Sequence, residues 1–371
     1  MKKNQLLVLI GLGVVLTVAA YLVVRKETAP YQQTARAGAK LLPDLDINAV
    51  ATLRLRSGSN VVTLAKQGDL WVVRERGDYP ANFSTLSDLM RKFWELKIAR
   101  IVQAGPSRLP MLGLAGPEKD STLVEMKSED GKLLHSVLIG ASSQSGGSGR
   151  YVMVDNDPKT ISFVADSLYD AEASAERWLN KDFFKIEKLK SIEVATPVAS
   201  NNWHLTRSSE SAEWTLVGAK PDEKLDSSKT SGLNSLLSYP SFNDVIPETV
   251  ALDNPTVATL TTFDGFTYTL KIAKHTNDDY RLQVAVSGSF PKERTAGKDE
   301  KPEDKARLDK EFKDNLKKLE EKLKTEQAYG KWTYIVSKWT VEPLLKERKD
   351  VLAEKKTEEP TKPKTTSESK P

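Results

Sequence analysis

Residues 50–73 read VATLRLRSGSNVVTLAKQGDLWVV, and this stretch decides the fold class. Polar and apolar residues alternate from Val50 to Leu55, a second apolar run covers 61–64, and Leu70–Val73 follows a Gly68-Asp69 turn signal. A period of two is typical of half-buried strands, and Gly with Asp between apolar runs is typical of turns. The stretch therefore predicts three short strands joined by hairpins.

A helix is predicted directly after these strands. Asn82 and Ser84 are polar residues that can cap its start. Apolar residues then recur three or four positions apart, which is the spacing of one helix face: they are Leu86, Leu89, Met90, Phe93, Trp94 and Ile98. The first part of the chain therefore reads as strands packed against one helix.

The same order of elements recurs in the second half of the chain. Trp71 and Trp214 would occupy equivalent, buried places, and the Asp130-Gly131 and Asp264-Gly265 pairs predict equivalent hairpins. The second set of strands and the second helix are predicted from Ile192–Val194, Trp203–Leu205, Trp214–Val217 and the group Leu233, Leu236 and Leu237. We predict an α+β protein with two tandem, internally duplicated units and largely antiparallel sheets. The alternative is that any mixed chain yields such matches by chance.

The predicted boundaries follow from these patterns. The first α+β repeat is expected over residues 45–175 and the second over 176–350, with a charged helical insert at about 290–328. The composition of residues 351–371, rich in Lys, Glu, Thr, Ser and Pro, predicts a disordered tail.

The insert contains an amphipathic pattern that predicts one helix over Glu303–Gln327. Its apolar stripe is a candidate partner surface made of Leu308, Phe312, Leu316, Leu319 and Leu323. Packing of the stripe on its own domain is the favoured interpretation, and a partner helix is the alternative. A narrow stripe of this kind must pack on something to be persistently ordered.

Leu6–Val24 forms an uninterrupted apolar run between Lys2-Lys3 and Arg25-Lys26. At about 1.5 Å per residue it reaches about 28 Å, close to the roughly 30 Å hydrocarbon core of a bilayer. Residues 1–26 are therefore interpreted as a cytoplasmic tail and transmembrane anchor, and residues 27–44 as a linker.

The short basic tail before the run favours a cytoplasmic N-terminus. This predicts a single-pass protein of a bacterial inner membrane with the bulk of the chain extracytoplasmic, that is, periplasmic. The alternative is a cleaved signal peptide ending near Ala35-Arg36-Ala37, but the run is longer than the usual apolar region of such signals.

Composition excludes several classes of protein. The net charge of +4 arises from 55 basic and 51 acidic residues that are mixed along the chain, so nucleic acid is not an expected partner. The chain has no Cys and only three His, about seventy residues apart, and it has no phosphate-binding or hydrolase motif. We therefore predict no catalytic, cofactor-binding or metal-binding residues, and no enzyme.

Trp332, Tyr334 and Trp339 form a cluster of aromatic residues near the end of the folded part. Such rings supply stacking area for a sugar or a peptide. Alternation of Trp332 and Tyr334 is more typical of the core face of a last strand. The three residues are a candidate aromatic contact, with the core interpretation favoured.

Taken together, these features resemble a bacterial family known as domain of unknown function 4340. The resemblance covers most of residues 47–345, and the order of weak motifs carries it: the Trp71 strand, Tyr79-Pro80-Ala81, Leu112-Gly113-Leu114 before Pro117, the Asp130-Gly131 hairpin, and Arg177-Trp178 before Phe183-Phe184. The resemblance implies a membrane-anchored extracytoplasmic protein associated with ABC-type transport systems similar to gliding-motility exporters. It implies no known reaction.

The expected function is that of a non-enzymatic accessory or scaffold protein, a partner of an ABC-type transport or export system. The anchor and the lack of a catalytic constellation motivate this hypothesis, while the link to transport comes from the resemblance alone. The alternative is an extracytoplasmic binding module for a cell-wall polymer. A hydrolase built only of carboxylates and hydroxyls ranks last.

Overall fold

The computed structural model describes residues 37–118, 121–142, 148–247, 250–296 and 300–354. The chain divides after Lys181 into two units, called unit 1 and unit 2 below. The predicted anchor, Leu6–Val24, lies outside the described residues. Among the residues that are described, no helix has both the length and the apolar character needed to cross a membrane.

Unit 1 is built on an antiparallel sheet of nine strands among its described residues, in the order β4-β3-β2-β1-β6-β7-β8-β9-β5. Leu53 and Leu55 of the first strand are fully buried, as the alternation predicts. The strands are β1 Thr52–Ser57, β2 Asn60–Gln67, β3 Leu70–Val73, β4 Tyr79–Pro80, β5 Ile98–Ile101, β6 Thr122–Lys127, β7 Leu133–Ser142, β8 Arg150–Val154 and β9 Ser162–Val164.

Helix α1, Phe83–Glu95, is the long helix of unit 1 and joins β4 to β5. It buries Leu86, Leu89, Met90 and Phe93. The chain beyond β9 also belongs to this unit, because the Asn82 N–H donates to the carbonyl of Trp178 at 2.7 Å and the Trp178 side chain is buried. Unit 1 therefore ends six residues later than the predicted boundary at 175.

Unit 2 contains a second antiparallel sheet, with eight strands among the described residues in the order β12-β11-β10-β14-β15-β16-β17-β13. Its fully buried aromatic side chains include Trp203, Tyr268 and Tyr334. The strands are β10 Leu189–Ala195, β11 Trp203–Thr206, β12 Thr215–Leu216, β13 Asp244–Ile246, β14 Thr256–Thr262, β15 Phe266–Lys274, β16 Asp279–Gly288 and β17 Thr333–Ser337. Two largely antiparallel sheets in an α+β chain confirm the predicted fold class at that level.

The two sheets have the same strand order once β4 is set aside. The register agrees as well: Leu53 lies opposite Leu64 and Met126, and Ile192 lies opposite Leu205 and Leu260. Each unit thus starts with a three-strand meander whose first strand, β1 or β10, also pairs with β6 or β14, while the strand after the helical region, β5 or β13, lies at the far edge of the sheet.

The expected burial of the two equivalent tryptophans is right for one of them only. Trp214 is buried, with its indole Nε1 donating to Asn234 at 2.9 Å and the Arg207 guanidinium 4.7 Å from its ring. Trp71 is half-buried, because it lines an open groove of unit 1.

The helix predicted from Leu233, Leu236 and Leu237 is wrong. The structure has one turn, α2 Ser227–Thr230, followed by a 3-10 helix over Ser231–Ser235. The three leucines are buried all the same. Ser and Gly favour turns over helix interiors, and Leu237 adopts a left-handed backbone with φ 55°, so a continuous helix cannot form here.

The insert forms helix α3, Pro302–Gln327, one residue longer than predicted. All five residues of the apolar stripe, Leu308, Phe312, Leu316, Leu319 and Leu323, are half-buried. The C-terminal half of α3 packs against β16, where Leu323 comes close to Gly288. A further short helix, α4 Lys338–Val341, follows β17.

Both predicted ends of the folded part need correction. Within the predicted linker, Leu41 and Leu42 are buried in unit 1, so residues 37–44 fold with it. At the other end Val351 is buried and the Ala353 N–H donates to the Lys224 carbonyl at 2.9 Å. The predicted tail therefore begins later than residue 351, and residues 355–371 lie outside the described part.

Candidate functional site

Helix α1 of unit 1 lines two depressions on the surface. Asn82 caps this helix, since its side chain accepts a hydrogen bond from the Thr85 N–H at 3.1 Å. One face of α1 is buried, whereas Phe83 is 63% exposed and Trp94 is 41% exposed at the two ends of the helix. A contiguous exposed apolar patch is typical of a binding surface, whereas single exposed apolar residues are common on any protein.

Phe83 and Trp94 line a groove of about 550 Å³, which we call the aromatic groove. One wall is α1 and the other consists of the β2–β3 hairpin and the 3-10 helix Ile47–Ala49 with Val50. The apolar side chains that line it are Ile47, Val50, Trp71, Phe83, Leu86, Met90 and Trp94. Its rim carries charges of both signs.

The segment through which the chain enters unit 1 runs beside this groove. The Gly38 N–H donates to the Ile98 carbonyl and the Leu41 N–H to the Leu96 carbonyl, both at 2.7 Å. These bonds hold the Lys40 ammonium 3.4 Å from the centre of the Trp94 ring, a cation–π contact. The first described residues therefore position one end of the groove.

The Tyr79-Pro80-Ala81 step closes the edge of the sheet at the groove. Strand β4 pairs with Val72 and Val73, and the Ala81 N–H donates to the Trp71 carbonyl at 2.7 Å. In the described part of unit 2, no strand corresponds to β4. The step is thus a structural feature of unit 1 that shapes this wall.

A larger cleft of about 910 Å³ lies on the opposite side of α1 and is charged. Lys92 contacts Asp170 at 2.5 Å and Asp166 at 3.5 Å, and Arg177 contacts Asp170 at 3.0 Å. Burial lowers the pKa of Lys92, but the hydrogen bond to Asp170 and the two negative charges outweigh it, so the pKa of Lys92 is raised. Lys92 and Arg177 thus form ion pairs with Asp166 and Asp170. This network of ion pairs in the cleft holds the loop after β9 in place.

The described residues offer no metal site, because no group of three or more His, Asp or Glu side chains among them could hold an ion. His135, on β7, has Asp155 as a neighbour, with its Nδ1 at 3.2 Å from a carboxylate oxygen. Seven of the thirteen residues that line the aromatic groove are apolar or aromatic, and the others are polar or charged. The chemistry of the groove is that of apolar and aromatic contact.

The three residues of the candidate aromatic contact lie in different surroundings. Tyr334 is fully buried, with its ring 4.5 Å from that of Phe183. Trp332 is half-buried, and Trp339, on α4, is 84% exposed. The core interpretation therefore holds for Tyr334 and not for Trp339.

The aromatic groove was not predicted as a site. The helical spacing places Trp94 on the predicted buried face, and it gives Phe83 no role. The available signal was their position on the helix: at about 100° per residue they lie on the same edge, roughly 60–80° away from Leu86. Phe83 and Trp94 thus lie at the edge of the apolar arc, where they remain exposed.

Residues 71–255 match the family model described as Domain of unknown function (DUF4340), and the chain belongs to this family. The matched region begins at Trp71 and contains all of α1, so it includes most of the aromatic groove. Comparison with curated proteins and with solved structures gave no match.

Proposed function

We propose that this DUF4340 protein is a non-enzymatic, membrane-anchored extracytoplasmic scaffold that binds a partner protein in the aromatic groove of unit 1. Leu6–Val24 would be the anchor, with the two units on the periplasmic side of a bacterial inner membrane. The partner would be a subunit of an ABC-type transport or export system, as the family resemblance implies.

The aromatic groove is the observation that carries this proposal. It leaves Phe83 63% exposed and Trp94 41% exposed to water beside Trp71, Met90 and Leu86. Trp and other aromatic residues in apolar depressions dominate the energy of many protein interfaces. A surface of this kind is stabilised by a bound partner, whereas an enzyme would need reactive groups that converge on a substrate.

The shared strand order of the two sheets supports a further part of the proposal, that the units are copies of one ancestral unit. In that case unit 1 acquired the binding groove through α1 and β4, while unit 2 acquired α3. The stripe on α3 is half-buried against its own unit, which favours packing within the chain over a partner surface.

The test is co-purification of the full-length chain from detergent-solubilised membranes of its bacterial host. The double variant Phe83→Ala/Trp94→Ala removes both exposed rings, and Tyr169→Ala removes a ring that is 65% exposed in the charged cleft instead. We expect a transport subunit to accompany the wild type and Tyr169→Ala, and its yield to fall at least about tenfold in the double variant.

Equal recovery of that subunit with all three proteins would refute the groove as its binding site. Failure to recover any subunit with the wild type would refute the scaffold proposal. Protease added to spheroplasts tests the location separately: degradation of both units supports a periplasmic location, and full protection contradicts it.

The second candidate function is binding of a cell-wall polymer. The three aromatic rings in one groove, Trp71, Phe83 and Trp94, favour it, because sugar rings stack on aromatic faces. Retention of the wild type on purified peptidoglycan, with loss in the Phe83→Ala/Trp94→Ala variant, would support this alternative over a protein partner.

A further inference from the structure

We infer that the aromatic groove binds one face of an amphipathic helix, about three turns long, that belongs to a partner protein in the same membrane. This inference rests on the proposed function and specifies the shape and the position of the partner. Length, backbone pairing, location and charge each support it.

The length of the groove is set by α1. Phe83 and Trp94 stand at its two ends, about 16 Å apart at 1.5 Å per residue. Leu86 and Met90 lie between them on the same side and form the floor. A ridge of side chains three turns long fits along such a helix in the way that helices pack side by side.

The walls of the aromatic groove present mainly side chains. They offer little backbone with which a bound peptide could form hydrogen bonds. On the strand side, the Trp71 carbonyl already accepts from Ala81, and Val72 and Val73 are paired with β4. A peptide that bound as an added strand would need a sheet edge with accessible N–H and C=O groups. A helix satisfies its own backbone, so it can fill an apolar groove of this kind without leaving polar groups unpaired.

The location of the groove limits where the partner helix can lie. Lys40 contacts Trp94, and Ile47 and Val50 form part of one wall, so the groove adjoins the first described residues. Residues 25–40, from the end of the apolar run to Lys40, span at most about 55 Å even when fully extended. With Leu6–Val24 as the proposed anchor, the Trp94 end of the groove therefore lies within about that distance of the membrane surface.

The rim charges favour a protein over the lipid surface itself. Lys66 and Asp69 stand on the hairpin side, and Arg91 and Glu95 stand on the helix side. Contact with anionic lipid headgroups would call for a cluster of basic residues. A rim of mixed sign suits the polar flanks of an amphipathic helix.

The test uses the full-length chain in its own membrane. A photoreactive residue is introduced in two separate variants, Phe83→p-benzoylphenylalanine and Trp94→p-benzoylphenylalanine, and the same change at Tyr169 is the control outside the groove. The crosslinked residues on the partner are then mapped by mass spectrometry. Because the replaced side chains are at least partly exposed, the variants are expected to fold.

We expect both groove variants to crosslink to one segment of one membrane protein, at sites about 11 residues apart, which is the helical spacing for 16 Å. Sites about 5 residues apart would indicate an extended peptide and overturn the helix while leaving the proposed function intact. Crosslinks in two unconnected segments overturn it equally. Products with lipid alone, or products at Tyr169 but not in the groove, would overturn both.

Discussion

Replacement of Tyr268 by Phe tests how the insert helix α3 is attached to unit 2. Tyr268 lies on β15 and is fully buried, and its hydroxyl donates to a carboxylate oxygen of Glu326 at 2.6 Å. Glu326 lies in the last turn of α3, is 5% exposed, and accepts a second bond from the Lys185 N–H at 3.2 Å. The hydroxyl is thus a short link between the sheet and the helix.

The expected loss follows from what the substitution leaves behind. Removal of the hydroxyl takes from the buried Glu326 carboxylate its closest donor and leaves the bond from the Lys185 N–H, and loss of one hydrogen bond to a charged group costs about 1.5–3 kcal/mol. The ring itself stays, so the cavity is negligible. For a unit of this size each kcal/mol lowers the melting temperature by roughly 2–4 °C.

The assay is denaturant unfolding of the full-length chain in detergent, with hydrogen exchange of peptides from β15 and α3 to assign the transition to unit 2. Tyr239→Phe is the matched control, because this tyrosine belongs to the same unit and is highly exposed. We expect no change in the control. A loss below about 0.5 kcal/mol in Tyr268→Phe would refute the proposed attachment of α3, since surface substitutions reach that value.

Three further predictions concern titration and backbone geometry. Burial raises the pKa of Glu326, against the hydrogen bonds of its neighbours. The folded state therefore binds this proton more tightly, and the stability of the wild type relative to Glu326→Gln should be greatest below about pH 4 and fall as the pH rises; a flat difference between pH 4 and 8 would contradict this. Two hydrogen bonds from Arg348, at 2.7 and 3.1 Å, and one from the Lys220 N–H lower the pKa of Glu223 to about 2. Glu223→Gln should thus lower the unfolding midpoint at pH 7, with the deficit disappearing as the pH falls toward 2, whereas a deficit independent of pH would point to lost packing instead. Gly113 has φ 67°, and a Cβ there would lie 2.7 Å from the Ala141 backbone nitrogen, so Gly113→Ala should destabilise unit 1 by about 1–3 kcal/mol; unchanged melting of unit 1 would refute it.

Local patterns predicted the elements whose signals lie within a few residues of one another. Helix α3 begins at Pro302 and its leucines keep a regular spacing, so its bounds were predicted to within one residue. The hairpins around Asp130-Gly131 and Asp264-Gly265 are likewise set by the turn itself, and both form. Such signals depend little on the rest of the fold.

Whether a side chain is buried by distant parts of the chain was not predictable in the same way. Trp71 shares its strand face with Val73, yet only Val73 is fully buried, because Trp71 lines the open aromatic groove. Leu41 and Leu42 sit in a polar stretch that reads as a linker, and they are buried because α1 and β5 provide a surface for them. The aromatic groove could not be recognised for the same reason, since periodicity identifies an apolar arc and not the part of it that remains open.

The way the chain joins unit 1 has a mechanical consequence. Gly38 and Leu41 are tied to the residues just after α1 by backbone hydrogen bonds, and Lys40 rests on Trp94 between them. A pull on the chain from its N-terminal side would load the bond of Gly38 first and that of Leu41 next, so the two bonds would break in sequence. Lys40 would then leave the ring of Trp94, which lines one end of the groove. Tension on the chain from this side would therefore reach the groove through the contact of Lys40 with Trp94.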